Sequence, residues 1–284
     1  MGANVREWLA PVFRRREQIQ FYYCCPNIFA KFASIRVNSL TLANISVSTF
    51  AKISVMKTII VTGANGNLGT ATVKKLLDSG YRVIAVDNSG SHLDFAKSND
   101  RFELHAVNLG DEALSTAFIK DIIGRHKKIE GALLLVGGFA MGDMASTGKT
   151  ELDKMFSLNF ETAYYAARPL LEHMLQNNYG RLVFMGARPA LQPEDGKNML
   201  AYALSKSLLF KLAEFINAAA KGKNVVASVV APSTIDTAIN RQSMPKANFD
   251  DWVKPEQLAD VLEFICSEKG LPLREPVYKV YNNA

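Results

Sequence analysis

The chain has 284 residues, of which 48% are hydrophobic and 21% charged, with a formal net charge of +6. That length and apolar content suffice for one large α/β domain with a substantial core. Residues 1–55 carry seven Lys/Arg (Arg6, Arg14, Arg15, Arg16, Lys31, Arg36, Lys52) against Glu7 and Glu17, a net of +5, so residues 56–284 hold only +1; this sets aside the basic face that a nucleic-acid partner would need.

The N-terminal segment comes first in chain order. Residues 1–55 are basic, contain Ser and Asn, and are poor in acids. No run there reaches the roughly 18 apolar residues of a membrane span, because Cys24-Cys25-Pro26-Asn27 and Arg36 interrupt the candidates, and no membrane partner is expected. Three readings stand open: an upstream over-extension of the reading frame with Met56 as the true start, an organelle transit peptide, or a working extension. The segment is expected to be disordered and to lie outside the fold, which begins at Met56.

From Met56 onward strand and helix signals alternate. "KTIIVTG" is a β-branched run ending in glycine, "NLGTATVKKLLDSG" an amphipathic helix, and "YRVIAVD" a second strand. "FELHAVNL" is a third strand and "EALSTAFIKDIIGRH" a helix. "GALLLVGG" is continuously apolar, which predicts a fourth strand buried on both faces. A long helix follows over 150–178, then the strand "GRLVFMG", a second long helix over 200–221, and the strand "NVVASVVAP". A helix at "PEQLADVLEFICSEKG" and a short strand at "PVYKVY" close the chain. Such alternation predicts a single Rossmann-type domain over 56–284, a doubly wound parallel sheet with helices on both faces.

Two motifs carry chemistry. The first strand runs into "TGANGNLG", placing Gly63, Gly66 and Gly69 at the turn and first helical turn, with Asn65, Asn67 and Leu68 between them. Glycines there let backbone N–H groups approach a pyrophosphate, and the helix N-terminus adds a positive dipole end. The strand before and the helix after are the context this motif needs. Asp87 ends the second strand, where a carboxylate accepts ribose hydroxyls and repels a 2′-phosphate; "NSGSHLDF" supplies no arginine to receive one. NADH is therefore expected over NADPH. The second motif is Tyr202 and Lys206, four apart on one helix face. A phenol titrates near about 10; a neighbouring ammonium is expected to lower that value and make Tyr202 the proton donor in a hydride transfer. The four histidines and three cysteines show no ligand spacing, so no metal is expected. The low cysteine count suits a reducing, cytoplasmic setting, with a mitochondrion or plastid as the destination if residues 1–55 are a transit peptide.

With these motifs in order, the chain from Met56 to the C-terminus resembles the short-chain dehydrogenase/reductase family. The likeness rests on "TGANGNLG", Asp87, "LLLVGG", Asn159 in "FSLNF", "YALSK" and "APSTIDT". It implies a water held by Asn159 that links Lys206 to solvent, a ribose contact from Lys206, and cofactor contacts from Asn108, Gly137, Gly138, Pro232, Thr234 and Thr237. It also implies pairing of the two long helices between subunits, in a homodimer or a tetramer built from it. Two departures are visible. The glycine spacing is TGxxGxxG, and Val136-Gly137-Gly138 stands where the family commonly has Asn-Asn-Ala-Gly. The family's catalytic serine falls on Ala187.

Within the family, "GARPAL", "YALSK" and "TIDTAINRQSMPKANFDDW" are similar to the quinonoid dihydropteridine reductases, which also lack the serine and prefer NADH. That likeness implies a small flat substrate with a conjugated C=N or C=O, such as a quinonoid dihydropterin, under a lid at 236–252. An imine-like acceptor needs less oxyanion stabilisation than a ketone. Phe139, just past the fourth strand, either stacks on such a ring or is a core aromatic; Met244 and Trp252 either cover the substrate or belong to a structural loop that Trp252 pins, and Ala187 is the remaining substrate-site residue. A 3-oxoacyl thioester or small carbonyl is the alternative substrate, and a non-catalytic NAD-sensing protein the third reading.

Overall fold

The computed structural model describes residues 56–88 and 91–283. The expectations about residues 1–55 lie outside the described residues. Strands β1 (Thr58–Thr62), β2 (Arg82–Asp87), β3 (Phe102–Ala106), β4 (Gly131–Leu134), β5 (Tyr179–Met185), β6 (Asn224–Pro232) and β7 (Val277–Val280) form one sheet in the order β3-β2-β1-β4-β5-β6-β7. Every pairing is parallel. The chain winds outward one way from β1 and the other way from β4. The order reverses between those two strands, and a crevice at their carboxyl ends results.

Helices α1 (Asn67–Asp78) and α2 (Glu112–His126) follow β1 and β3; α3 (Lys149–Phe156) and α4 (Thr162–Gln176) follow β4. A short α5 (Pro193–Gly196) and the long α6 (Leu200–Ala219) follow β5, and α7 (Ala238–Ser243) and α8 (Pro255–Cys266) follow β6. Successive strand residues point to opposite faces, and the core divides accordingly. Ile60, Ile84, Leu134, Leu182 and Phe184 pack with Ile119 and Ile122 of α2, Leu170 and Met174 of α4, and Leu209 and Ile216 of α6. Ile59, Val61, Val83, Leu133 and Val183 pack on the other face with Val73 and Leu76 of α1 and Leu258, Leu262 and Ile265 of α8. All of β4 is buried, as its unbroken apolar run requires.

Three features depart from the sequence expectation. Strand β4 stops at Leu134, so Leu135–Gly138 form a loop that opens onto the crevice. The expected single helix over 150–178 is broken by a π-helical turn, Ser157–Glu161, between α3 and α4. Helices α5 and α7 and three 3-10 turns, Ser91–Ala96, Arg188–Ala190 and Phe249–Asp251, were not expected. They are too short for a hydrophobic period to betray them.

The β1–α1 turn depends on close backbone approach. Gly63 has φ +65°, the left-handed region that a side chain disfavours. A Cβ on Gly69 would stand 2.1 Å from the Gly63 carbonyl oxygen and 2.7 Å from Ala64 Cα, both rigid backbone. Gly69→Ala is therefore expected to destabilise the fold by about 3 kcal/mol or more, read as a lower urea midpoint for the full chain.

Candidate active site

The turn after β1 is held by its own backbone and by Asp87. Gly66 N–H donates to the Gly63 carbonyl at 3.2 Å, and Asn65 N–H donates to Asp87 Oδ2 at 2.9 Å. No side chain caps the N-terminus of α1, whereas Asp111 caps α2 through Leu114 N–H. The first amides of α1, on Asn67, Leu68 and Gly69, are thus available to an anion. Gly66 is exposed, and a Cβ there would meet the Gly63 carbonyl oxygen only at 3.4 Å, an ordinary contact. The protein itself does not need glycine at that point; a ligand lying on the turn would. An uncapped helix start, a bare turn and a carboxylate at the end of β2 fit a dinucleotide. Asn108 is exposed on the loop after β3, its Oδ1 accepting from Gly110 N–H at 3.1 Å.

Across the crevice, α6 brings Tyr202 and Lys206 to the ends of β4 and β5. Lys206 is 4% exposed, and its Nζ donates to the Met185 carbonyl at 2.8 Å. Asn159 is fully buried in the π-helical turn. Its Oδ1 accepts from Gly138 N–H at 2.8 Å, and its Nδ2 donates to Ser205 Oγ at 2.9 Å. Ser205 Oγ donates in turn to the Tyr202 carbonyl at 2.8 Å. A Cβ on Gly137 would lie 2.7 Å from Asn159 Oδ1 and 2.8 Å from Lys206 Nζ, so the missing side chain at Gly137 makes room for both. Ser205 was not singled out from sequence; its place between Tyr202 and Lys206 was the available signal.

The Asn159 side chain is committed to these protein partners and braces the site. One expectation about this cluster needs correction. Lys206 does not lower the phenol of Tyr202 in the free protein. Burial pushes the half-buried Tyr202 up to about 12 and pushes Lys206 down to about 8. Both groups resist charge because the crevice walls replace water with apolar surface. At neutral pH Tyr202 keeps its proton, and Lys206 holds a charge that its surroundings only weakly favour.

Ala187 is 3% exposed and carries a methyl group where a hydroxyl donor was sought. Arg188 follows, paired with Asp195 at 2.8 Å, an ion pair without an aligned hydrogen bond. Phe139 is 59% exposed and meets the Tyr202 ring edge-on, with centroids 5.1 Å apart. Met141 and Met144, on the loop leaving β4, and Ile239 of α7 and Met244 at its end are also exposed. The first three carry no sequence signal, since single apolar residues in a polar loop or a six-residue helix show no period. Trp252 is 5% exposed, packs on Phe249 at 4.8 Å, and its carbonyl accepts from Asn282 Nδ2 at 3.0 Å, so it pins the 233–253 loop. Within that loop Arg241 binds Asp236 at 2.6 and 2.7 Å and covers the Phe249 ring at 4.7 Å. Pro232 is buried at the end of β6, the Thr234 carbonyl accepts from Val253 N–H at 2.9 Å, and the Thr237 hydroxyl caps α7.

The family model for short chain dehydrogenases matches residues 57–248. The chain belongs to the short-chain dehydrogenase family. Its members are NAD(P)(H)-dependent oxidoreductases. This short-chain dehydrogenase is 27% identical over 210 residues to a dihydropteridine reductase of Dictyostelium discoideum, spanning 72% of this chain and 86% of the relative. It is 23% identical over 228 residues to a 3-oxoacyl-acyl-carrier-protein reductase of Rickettsia conorii, spanning 75% and 90%. Among solved structures, levodione reductase superposes with a TM-score of 0.73 at 19% identity, covering 80% of this chain and 96% of that one. The protein titled "ElxO with NADP Bound" gives 0.72 at 16%, covering 80% and 97%. Both share the fold. Among the described residues no helix is long and apolar enough to cross a membrane.

Two outcomes follow from this geometry. Gly66→Ala is expected to keep the wild-type urea midpoint while weakening NADH binding at least tenfold, about 1.4 kcal/mol, as read by quenching of protein fluorescence. Lys206 has a folded-state value near 8, below the unfolded 10.5. Between those values the unfolded chain binds more protons, so stability rises with pH. The buried Cys266 thiol, pushed up to about 12, acts the other way above pH 9, so the expected outcome is a difference: from pH 8 to 10 the thermal midpoint of the wild type is expected to rise relative to that of Lys206→Met.

Proposed function

We propose that this short-chain dehydrogenase reduces a flat, conjugated C=N or C=O compound with hydride from NADH, and that a quinonoid dihydropterin is the best-fitting substrate. The observation that carries the reading is the buried methyl of Ala187, at the position that matches the family's serine. A protonated phenol, Tyr202, sits in the crevice, and the position that would steady a developing alkoxide offers no donor. Without such a donor, ketone reduction loses rate; an electron-poor imine-like carbon needs a proton more than it needs oxyanion stabilisation. The exposed Phe139 ring, edge-on to Tyr202, gives a flat ligand an aromatic neighbour. The likeness to a dihydropteridine reductase points the same way.

In this reading Gly63, Gly66, the first amides of α1, and Asp87 hold the dinucleotide. Pro232, Thr234 and Thr237 border its nicotinamide end, and Lys206 serves its ribose. The bound cofactor supplies the hydride. Tyr202 donates its proton to the substrate atom that becomes electron-rich, and Lys206 stabilises the phenolate left behind. The Asn159–Ser205 hydrogen bonds hold α6 in register with the Gly137–Gly138 loop, so phenol and ammonium keep their spacing. Met244 and Phe139 shield the crevice from water. The carboxylate of Asp87 favours NADH. The two long helices, with Tyr164, Leu204, Leu208 and Phe215 exposed on them, suit a homodimer or tetramer.

The test is turnover by the full chain with NADH, comparing quinonoid dihydropterin with an acetoacetyl thioester. Fast turnover on the pterin alone is expected, falling as pH rises through 8 because Lys206 loses its charge. Tyr202→Phe is expected to cost about 100-fold or more in kcat while NADH binding survives. Turnover on the thioester alone would assign the substrate to the other class. Binding without turnover on either, unchanged in Tyr202→Phe, would leave a sensor.

A further inference from the structure

His92 is joined to the glycine turn in a way that fixes which of its ring nitrogens faces outward. Its backbone N–H donates to Asn65 Oδ1 at 2.8 Å, and its ring Nδ1 lies 2.9 Å from the Asn65 carbonyl oxygen. A carbonyl oxygen only accepts, so Nδ1 carries the proton. Nε2 is then left as a bare acceptor when the ring is neutral and becomes a cationic N–H when the ring is protonated. The same Asn65 donates its N–H to Asp87 Oδ2. Asp87, Asn65 and His92 thus form one hydrogen-bonded set at the end of β2, where a dinucleotide presents its adenosine 2′ position. His92 is exposed, as a ligand contact there requires.

We infer that His92 is a second determinant of dinucleotide choice: neutral, it accepts from a 2′-hydroxyl, and protonated, it offsets Asp87 and admits a 2′-phosphate. The inference rests on the reading above that this turn holds a dinucleotide. Charged groups lie on the elements that meet there. Asp87 ends β2; Asp94, on the same 3-10 turn as His92, pairs with Lys97 just beyond it at 2.7 Å. Helix α1, which packs against that turn, carries Lys74, Lys75 and Asp78 toward its C-terminal end, with Lys75 paired to Asp260 at 2.6 Å. Asp87 is the carboxylate that shares a hydrogen-bond partner with His92, so protonation of the ring changes the sign of its neighbourhood most directly.

The experiment is titration calorimetry of the full chain with 5′-AMP and with 2′,5′-ADP between pH 8.5 and 5.5, for the wild type, His92→Gln and His92→Lys. The 2′-phosphate titrates near about pH 6, but it does so equally with all three proteins and cancels between them. Relative to His92→Gln, the wild type is expected to improve its preference for 2′,5′-ADP about fivefold on acidification. His92→Lys is expected to show the acid-like preference throughout. If His92→Gln weakens both nucleotides equally and leaves the pH trend of their ratio intact, His92 only props the turn and the inference fails. If neither nucleotide binds the wild type at any pH, the dinucleotide reading of the turn itself fails, and the inference with it.

Discussion

Asn159 is a buried amide with both ends engaged, and the arrangement of the crevice depends on it. Its oxygen holds Gly138 N–H at 2.8 Å, and its nitrogen holds Ser205 Oγ at 2.9 Å. Three separately folded pieces therefore meet at one side chain: the loop after β4, the π-helical turn ahead of α4, and α6. A buried amide left unpaired costs about 1–3 kcal/mol, so each piece is held to the position that satisfies it. The extra residue of the π turn sets Asn159 at the junction, a use often made of such turns at functional sites. Gly137 completes the constraint by leaving space where a Cβ would strike both Asn159 and Lys206.

The charge balance of the crevice follows from this packing. Enclosing Lys206 with one carbonyl partner and no carboxylate makes its ammonium costly, and enclosing Tyr202 makes its phenolate costly. A phenol that stays protonated is an acid in waiting. The ammonium becomes worth its desolvation only when a negative charge appears beside it. In the mechanism proposed above, this balance favours the moment of proton transfer over either resting ionised state.

The 233–253 loop shows a different economy. It leaves β6 and returns to α8 through an isolated pairing of Ile235 with Val253. Between those points Asp236, Arg241, Phe249 and Trp252 are linked to one another, with Asn282 anchoring the far end. A segment so cross-tied presents Ile239 and Met244 from a stable frame. Trp252, buried against Phe249, is part of that frame.

The sequence determined the layers of the fold. Alternating β-branched runs and apolar helical periods suffice for a doubly wound sheet, because each strand must bury two faces. A glycine turn between strand and helix and a Tyr–Lys pair four apart are local patterns, legible without a fold. What tertiary structure alone decided were relations between distant residues. The direction of the pKa shifts at Tyr202 and Lys206 reverses the simple expectation for the phenol, because burial depends on all the walls of the crevice together. The engagement of Asn159 by Gly138 and Ser205, the burial of Trp252, and the tie between Asn65 and His92 each join segments whose spacing carries no periodic signal. A hydrogen bond between such segments exists only once the sheet has brought them within 3 Å.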